Sequence, residues 1–181
     1  LLTTVRKAPF ETVPMDVDEI MQDVVQMLSR TLPKGINIVS NFQPTLPLIQ
    51  GDIGQIHQVL MNLYLNGADA MSGKGTLSLS NNAVHLSEEF CRQHLNLNPG
   101  RYIQLTVADT GMGISEENKA KILEPFFTTK DPGKGTGLGL SVAYGIVKNH
   151  RGTIDIKSEL GYGSSFTVYL PVCANPKSED S

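Results

Sequence analysis

The sequence predicts a single α/β domain in which amphipathic helices pack on a β-sheet. Two observations support this fold class: capped segments with apolar residues at helical spacing, and shorter segments of β-type residues that lie between them. The chain has 181 residues, of which 40% are hydrophobic and 18% are charged. This length is sufficient for one well-buried domain and too short for two of comfortable size.

Three helices are predicted from their caps and apolar spacing. Asp16 caps a first helix that ends near residue 32, with a buried stripe at Ile20, Val24, Met27 and Leu28. Asp52 caps a second helix, whose sheet-facing residues are Ile53, Ile56, Leu60, Leu63 and Gly67. A third helix over residues 138–150 is apolar at Leu140, Val142, Ala143, Ile146 and Val147. We expect the second and third helices to be buried against the same sheet.

The strands are predicted between these helices. They cover residues 36–42, 76–84, 102–107, 153–158 and 165–170, and a short β-type stretch covers residues 10–14. A polar insert joins the second and third of the five longer strands. It contains a short helix start at Ser87 and a turn at Asn98-Pro-Gly100, so we expect it at the periphery of the domain.

Composition excludes several classes of function. The formal net charge is −3 and the basic residues are scattered, which argues against binding to nucleic acid or to an acidic membrane surface. Cys91 and Cys173 are too few and too far apart for a disulfide framework or a metal site, so a reducing compartment fits best. The longest apolar run, residues 141–147, is far shorter than a membrane span.

Four polar or glycine-rich segments follow one another in an order that indicates a nucleotide site. They are the asparagine segment 58–71, the Asp109-Thr-Gly-Met-Gly-Ile114 segment, the Glu124-Pro-Phe-Phe-Thr-Thr-Lys130 segment and the Gly135-Thr-Gly-Leu-Gly-Leu140 segment. Each segment alone is a weak signal, because glycine is the default residue of turns. Together they offer paired amides, a carboxylate beside flexible backbone, a lid and a phosphate-binding helix start.

Asn62 and Asn66 lie one turn apart on the second helix, so both carboxamides project from the same side. A carboxamide oxygen suits Mg²⁺, which keeps most of its waters and is otherwise held by phosphates. The same pattern also occurs on solvated helix faces that bind nothing.

Asp109 follows an apolar strand, at the edge of a sheet where α/β folds commonly bind ligands. Its carboxylate can accept a hydrogen bond from the exocyclic amine of adenine. Gly111 and Gly113 would let the backbone pass beside the base. An Asp-Thr-Gly turn that merely ends a strand has the same sequence.

The glycine run before the third helix is the strongest single signal. Free backbone N–H groups and the positive end of the helix dipole bind phosphate there without a side-chain charge. The position of Lys134 excludes a Walker-type loop. Upstream, Phe126 and Phe127 lie in a segment rich in Pro and Gly, which indicates a lid that also anchors to the core, and Lys130 and Lys134 would reach the terminal phosphates.

The four segments resemble the N, first glycine, F and second glycine boxes of the bacterial histidine kinase catalytic domain. This domain belongs to a superfamily of Bergerat-type ATP folds shared with gyrase B subunits and heat-shock chaperones. The resemblance covers residues 13–171, and residues 161–166 are similar to the last glycine box of the family. The sequence of residues 124–130 resembles that of the nitrogen-regulation and hybrid-sensor branch of the family. The resemblance implies an α/β two-layer sandwich, with a mixed, largely antiparallel sheet covered on one face by three helices.

The resemblance also assigns roles residue by residue. It implies Asn66 as the magnesium ligand, Asp109 as the adenine acceptor, and Asn62 and Lys130 as catalytic residues. The remaining implied nucleotide-binding residues are Ala70, Gly111, Gly113, Ile114, Phe127, Thr128, Lys134, Gly135, Thr136, Gly137, Leu138, Gly139, Leu140 and Ser164. The sequence departs from the family pattern in having Ser164 for threonine, Gly67 for alanine, and Arg151 within a His-Gly-Gly turn.

The resemblance implies ATP and Mg²⁺ as cofactors and transfer of the γ-phosphoryl to a histidine on a separate dimerisation domain. Residues 1–9 resemble the end of that domain and its linker, residues 10–172 form the catalytic domain, and residues 173–181 form a polar tail. The expected partners are the histidine-bearing domain of a homodimeric kinase and a response-regulator receiver domain, in the cytoplasm. The resemblance leaves open whether the whole protein is membrane-anchored. A nucleotide-dependent switch or an ATPase of the same superfamily is the alternative function, although an amide at position 62 cannot act as a base.

Overall fold

A computed structural model describes residues 11–94, 97–124, 127 and 139–173. In chain order its elements are β1 (Val13–Met15), α1 (Val17–Thr31), β2 (Ile36–Asn41), β3 (Ile49–Gly51), α2 (Ile53–Ala70), β4 (Gly75–Leu86), α3 (Glu88–Gln93), β5 (Gly100–Asp109), α4 (Glu116–Lys119), α5 (Gly139–Asn149), β6 (Thr153–Glu159) and β7 (Gly163–Pro171). All the predicted strands and helices are present among them.

The central sheet has five strands in the order β2-β4-β5-β7-β6 within the described residues. β2 pairs with β4 in parallel, and the other neighbours pair antiparallel. The predicted mixed, largely antiparallel sheet is therefore confirmed. β5 is the central strand, between the long strand β4 and β7, so its ends are supported on both sides.

One face of the sheet carries the main core. Alternate residues of the strands are buried there, among them Leu77, Leu79, Ile103, Leu105, Val107, Phe166 and Val168. The helices α1, α2 and α5 bury apolar residues in the same cluster, so these three helices cover one face, as expected. Asp16 and Asp52 cap α1 and α2, since their carboxylates accept hydrogen bonds from Asp18 N at 2.9 Å and Gln55 N at 3.1 Å.

Several details of the buried faces were predicted wrongly. Met27 is 43% exposed and Ile53 is 53% exposed, and Val142 also lies at the surface. Val17 and Met21 are buried instead and move the centre of the α1 stripe away from Met27. The short elements β3 and α4 were not predicted, because three or four residues are too few to show a period.

None of the described residues of the polar insert belongs to the main core, which agrees with a peripheral position. The insert has a small core of its own. Ser87 caps α3 as predicted, and Phe90 packs edge-on against the ring of Tyr169 at 5.2 Å. Leu86, Cys91, Leu97 and Tyr102 are buried in the same cluster, which lies against the other face of the sheet.

Among the described helices, none combines the length and the apolarity that crossing a bilayer requires.

Tyr64 generates a test of the packing. It is fully buried on α2, and its hydroxyl has no hydrogen-bond partner among the described residues. Burial also raises the pKa of Tyr64 well above its ordinary value. Tyr64→Phe should raise the free energy of unfolding by roughly 1 kcal/mol, because it removes a buried polar group that lacks a partner. Urea unfolding followed by circular dichroism measures this difference.

Tyr102→Phe is the matched control. The Tyr102 hydroxyl donates a hydrogen bond to the Asn98 carbonyl at 2.8 Å. Its loss should lower the free energy of unfolding by about 1 kcal/mol. A Tyr64→Phe variant that is destabilised as much as Tyr102→Phe would show that the Tyr64 hydroxyl has a stabilising partner.

Candidate functional site

The C-terminal half of α2 forms one wall of the candidate site. Asn62, Asn66 and Ala70 are each four residues apart and half-buried, so they share one face of the helix. Gly67 brings this helix close to β5, since a Cβ at Gly67 would lie 3.4 Å from the Cβ of Asp109 and 2.9 Å from a methyl of Leu77. Glycine in place of alanine at this position therefore allows a close approach between the helix and the carboxylate.

Asp109 ends β5 and is only 7% exposed. Its Oδ1 accepts a hydrogen bond from Gly111 N at 2.9 Å, and its carboxylate also accepts one from the backbone N–H of Ser164. Burial raises the pKa of Asp109 above its usual value, and these two N–H groups lower it by less. A carboxylate has about four lone-pair positions, so two bonds leave it able to accept from a ligand.

The loop after Asp109 is held on both sides by backbone hydrogen bonds. Met112 N donates to the Ala70 carbonyl at 3.1 Å, and Gly161 N donates to the Met112 carbonyl at 2.7 Å. A Cβ at Gly111 would lie 2.5 Å from the Ala70 carbonyl oxygen, which is closer than packing permits. Gly113 has φ +73°, and a Cβ there would overlap the backbone of Glu159. Both glycines are therefore required by the path of this loop.

Ser164 belongs to a small polar network beside Asp109. Its hydroxyl lies 2.8 Å from that of Ser158, which donates to the Gly163 carbonyl at 3.0 Å. Ser158 Oγ also accepts a hydrogen bond from Ile114 N at 2.7 Å. Ser158 thus joins the loop to β7, a role that the sequence analysis missed. A signal existed, because Ser158 continues the alternation of Ile154 and Ile156 with a polar residue.

Asn62 connects α2 to the start of α5. Its Nδ2 donates a hydrogen bond to the Gly139 carbonyl at 2.9 Å, although the two residues are 77 positions apart. The side chain of Leu140 is buried in the main core, which leaves its backbone for any ligand contact. The asparagine face of α2 and the N-terminus of α5 are therefore adjacent.

The structure brings Asn62, Asn66, Ala70, Asp109, Gly111, Gly113, Ile114, Gly139, Leu140 and Ser164 to one end of the sheet. Phe127 is half-buried, and its N–H donates to the Glu124 carbonyl at 3.3 Å. The other predicted site residues lie outside the described residues: Thr128, Lys130, Lys134, Gly135, Thr136, Gly137 and Leu138.

The described residues offer a metal ion few protein ligands. The described residues contain no cluster of three His, Cys, Asp or Glu side chains that would hold an ion without help. Asn66 lies one helical turn after Asn62, and its carboxamide makes no hydrogen bond to another described residue. This arrangement fits a Mg²⁺ ion that is held mainly by phosphate oxygens and takes one protein ligand.

Residues 51–174 match the family model described as histidine kinase-, DNA gyrase B-, and HSP90-like ATPase. Over 180 residues, or 99% of its length, the chain is 36% identical to the sensor kinase CckA of Brucella abortus. The chain spans only 19% of the length of this curated relative.

Two solved structures share the fold. The chain is 26% identical to full-length ShkA in complex with AMPPNP, with a TM-score of 0.73 over 93% of this chain and 33% of that one. It is also 26% identical to the catalytic domain of the histidine kinase ThkA, with a TM-score of 0.72. That match covers 90% of this chain and 96% of the ThkA domain.

Asp109 should make the domain less stable as the pH rises above 3.8, the ordinary pKa of an Asp carboxyl. Because burial raises the pKa of Asp109, the folded protein keeps a proton that the unfolded chain has already released. The contribution of Asp109 to the free energy of unfolding is therefore greatest below pH 3.8 and falls until the pH passes the pKa of the folded state.

This linkage is measured by urea unfolding of the wild type and Asp109→Asn over the acidic pH range. As the pH rises, the free energy of unfolding of the wild type should fall relative to that of the variant. Asp23→Asn, on an exposed part of α1, is the control for the loss of one carboxylate. A difference that moves towards the wild type would mean that the pKa of Asp109 is lowered by folding.

Proposed function

Since the chain belongs to the histidine kinase-, DNA gyrase B- and HSP90-like ATPase family, we propose that it is the ATP-binding catalytic domain of a sensor histidine kinase. The proposed reaction transfers the γ-phosphoryl group of ATP to a histidine on a separate domain. The observation that carries this proposal is the buried Asp109 carboxylate, which keeps acceptor capacity at the end of β5, beside the asparagine face of α2.

In this proposal Asp109 accepts a hydrogen bond from the exocyclic amine of adenine. Its bonds from Gly111 and Ser164 fix the orientation of the carboxylate before the base arrives. Guanine presents a carbonyl oxygen at the equivalent edge, and a carboxylate cannot donate to it. The backbone of residues 111–114 then lies beside the base, where it is fixed by Ala70 and Ser158.

Asn66 would hold Mg²⁺ together with the phosphate oxygens of the nucleotide. When bound, the ion supplies positive charge beside the phosphates. The proposed phosphate contacts of this chain are the N–H groups of residues 135–140 and the side chains of Thr128, Lys130 and Lys134. Gly139 begins α5 next to Asn62, so the phosphates and Asn66 would face each other.

Transfer forms a bond between an imidazole nitrogen and the γ-phosphorus and breaks the bond from that phosphorus to the bridging oxygen, which leaves with ADP. Imidazole is already a nucleophile at neutral pH, so the step needs no carboxylate base. The Asn62 side chain is an amide that donates a hydrogen bond to the Gly139 carbonyl, and it cannot take a proton from water. This favours the kinase over an ATPase.

The phosphoryl acceptor is proposed to lie outside this chain. Of its four histidines, His57 and His150 lie in or at the end of helices, and His94 stacks on Phe90 at 4.3 Å. His85 lies on β4. We propose as partners a histidine-bearing domain of the same protein, in a homodimer, and a response-regulator receiver domain. ThkA has been solved in complex with a response regulator. We also propose a cytoplasmic location, where ATP is available.

The first prediction of this proposal is a preference for adenine. ADP should bind more tightly than GDP at the same Mg²⁺ concentration, as measured by isothermal titration calorimetry. Asp109→Asn should weaken ADP binding by roughly 1.5 to 3 kcal/mol, because it removes a charged acceptor. Asp23→Asn is the matched control and should bind like the wild type. Equal affinities of the wild type for ADP and GDP would remove Asp109 from its proposed role.

The second prediction concerns the metal. Asn66→Ala should make ADP affinity nearly indifferent to EDTA, whereas Asn82→Ala, at an exposed position of β4, should keep the wild-type sensitivity. Asn66→Asp should bind Mg²⁺ more tightly but transfer phosphate less well, since it adds negative charge beside the phosphates. Undiminished EDTA sensitivity in Asn66→Ala would show that another residue holds the ion.

The third prediction concerns the reaction. With labelled ATP, the chain alone should neither phosphorylate itself nor release phosphate appreciably, because general-base assistance worth about 10²- to 10⁴-fold is absent. It should label a separately supplied dimerisation domain with an acid-labile, alkali-stable phosphoryl group. The Asp109→Asn chain is the control and should transfer poorly at low ATP concentration. Brisk phosphate release without transfer would instead support the ATPase.

A further inference from the structure

A groove lies at the end of the sheet away from Asp109. Its volume is about 1020 Å³, and its walls come from the start of β5, the end of β7 and the C-terminus of α5. Tyr102, Pro171 and Val172 give it an apolar floor, while Arg101, Lys148 and Arg151 supply cations. We call this feature the Arg101–Arg151 groove. None of the residues placed in the nucleotide site lines it.

The charge of the groove is of one sign. Its lining includes three cations and no Asp or Glu, although the whole chain has 18 acidic and 15 basic residues. Within the described ranges, the one ion pair joins Lys119 to Glu116, outside the groove. Lys148 Nζ instead lies 3.3 Å from Thr153 Oγ1 and 5.3 Å from the centre of the Tyr144 ring. Carboxylates of the described residues therefore leave these cations unneutralised.

Arg151 occupies a backbone conformation that favours glycine. Its φ is +62°, in the turn that ends α5, where Arg151 N donates to the Lys148 carbonyl at 3.0 Å. A residue other than glycine is strained in this conformation, and such strain concentrates at functional positions. The helix dipole favours cations at this end of α5, which accounts in part for Lys148 and Arg151. It does not account for Arg101, which comes from β5.

The walls of the groove are held by hydrogen bonds, so it is formed in advance. His150 Nε2 accepts from Asp52 N at 3.0 Å, and its Nδ1 lies 2.8 Å from the Ile146 carbonyl, which ties the end of α5 to the start of α2. Cys173 N donates to the Leu48 carbonyl at 2.8 Å, and Val172 N donates to the Arg101 carbonyl at 3.1 Å. A ligand would meet an ordered surface and lose little affinity to ordering it.

We propose that the Arg101–Arg151 groove binds an acidic peptide segment of a partner protein. An apolar floor within a polar rim is the usual anatomy of a protein interface, and it suits an extended peptide that alternates apolar and acidic side chains. The carboxylates pair with Arg101, Lys148 and Arg151, and the apolar side chains cover Tyr102 and Val172. Three cations are few for a nucleic-acid site, because such binding rests on neutralising many phosphates of the backbone.

The test uses the full chain and a synthetic peptide of alternating Glu and Val, followed by the backbone amide shifts of the ¹⁵N-labelled protein. The peptide should shift the amides of Arg101, Arg151 and Cys173 in a saturable manner and leave those of Gly111 and Gly113 in place. Sodium chloride should weaken the binding. The same peptide with Gln for Glu should bind at least about fivefold more weakly. Each exposed ion pair contributes up to about fivefold in affinity, and this peptide would lose all of its ion pairs.

Charge variants locate the site. The double variant Arg101→Glu and Arg151→Glu should weaken binding about tenfold or more. Lys34→Glu is a charge reversal in the loop before β2, at the far edge of the sheet, and this variant should bind like the wild type. Arg151→Gly should also weaken binding while raising the thermal midpoint of unfolding, because glycine relieves the strained φ. All variants should keep wild-type ADP affinity, which confirms that each is folded.

Four results would overturn the proposal. The first three concern the acidic peptide. They are equal binding of the Glu and Gln peptides, wild-type binding by the double variant, and amide shifts that spare the groove. An oligothymidylate that shifts the same amides at lower concentration than the acidic peptide would assign the groove to nucleic acid instead. None of these results bears on ATP binding, so they leave the proposed function untouched.

Discussion

The candidate site depends on one interaction, the capture of the buried Asp109 carboxylate by the backbone N–H groups of Gly111 and Ser164. Burial removes the carboxylate from water, and two amide donors replace only part of its hydration, so its pKa remains raised. A buried charge with spare acceptor positions favours any ligand that brings a well-placed donor. In our account the adenine amine is that donor, and binding lowers the energetic cost that the free domain carries.

The sheet determines where this carboxylate can lie. The antiparallel register of β5 and β7 sets Asp109 opposite Ser164. Gly163, which follows the β6–β7 turn, has φ +127° and lies so close to the Asp109 carbonyl that a side chain there would overlap it. A slip of one residue in this register would turn Asp109 to the other face. On the opposite side, Gly67 allows α2 to approach the carboxylate. Packing of the core and geometry of the site are therefore set by the same contacts.

Much of this fold follows from local patterns. The caps Asp16 and Asp52 and most buried residues of α1, α2 and the strands follow from neighbouring residues, and they were predicted correctly. The exposure of Met27 and Ile53 was not predicted, because it depends on how each helix is rotated against the sheet. The network of Ser158 joins residues 44 and 6 positions away, and no local period reports such a contact.

The candidate residues were predictable for a different reason. Asn66, Asp109 and Ser164 came from ordered motifs and a family resemblance, and the structure adds the contacts that bring them together. The departure of Arg151 from the His-Gly-Gly pattern marked the position in the sequence, but the positive φ itself is visible only in the structure. It appears only when α5 is seen to end against β6, with Gly152 packed on the Tyr169 carbonyl.

The most direct test of the central claim is the titration of the Asp109 carboxyl carbon by ¹³C NMR, with and without ADP. In the free domain the pKa of Asp109 should lie above its ordinary value, and ADP should lower it, because a donor from adenine favours the charged carboxylate. A pKa of Asp109 that is the same with and without saturating ADP would contradict the account, since the base would then make no hydrogen bond to this carboxylate.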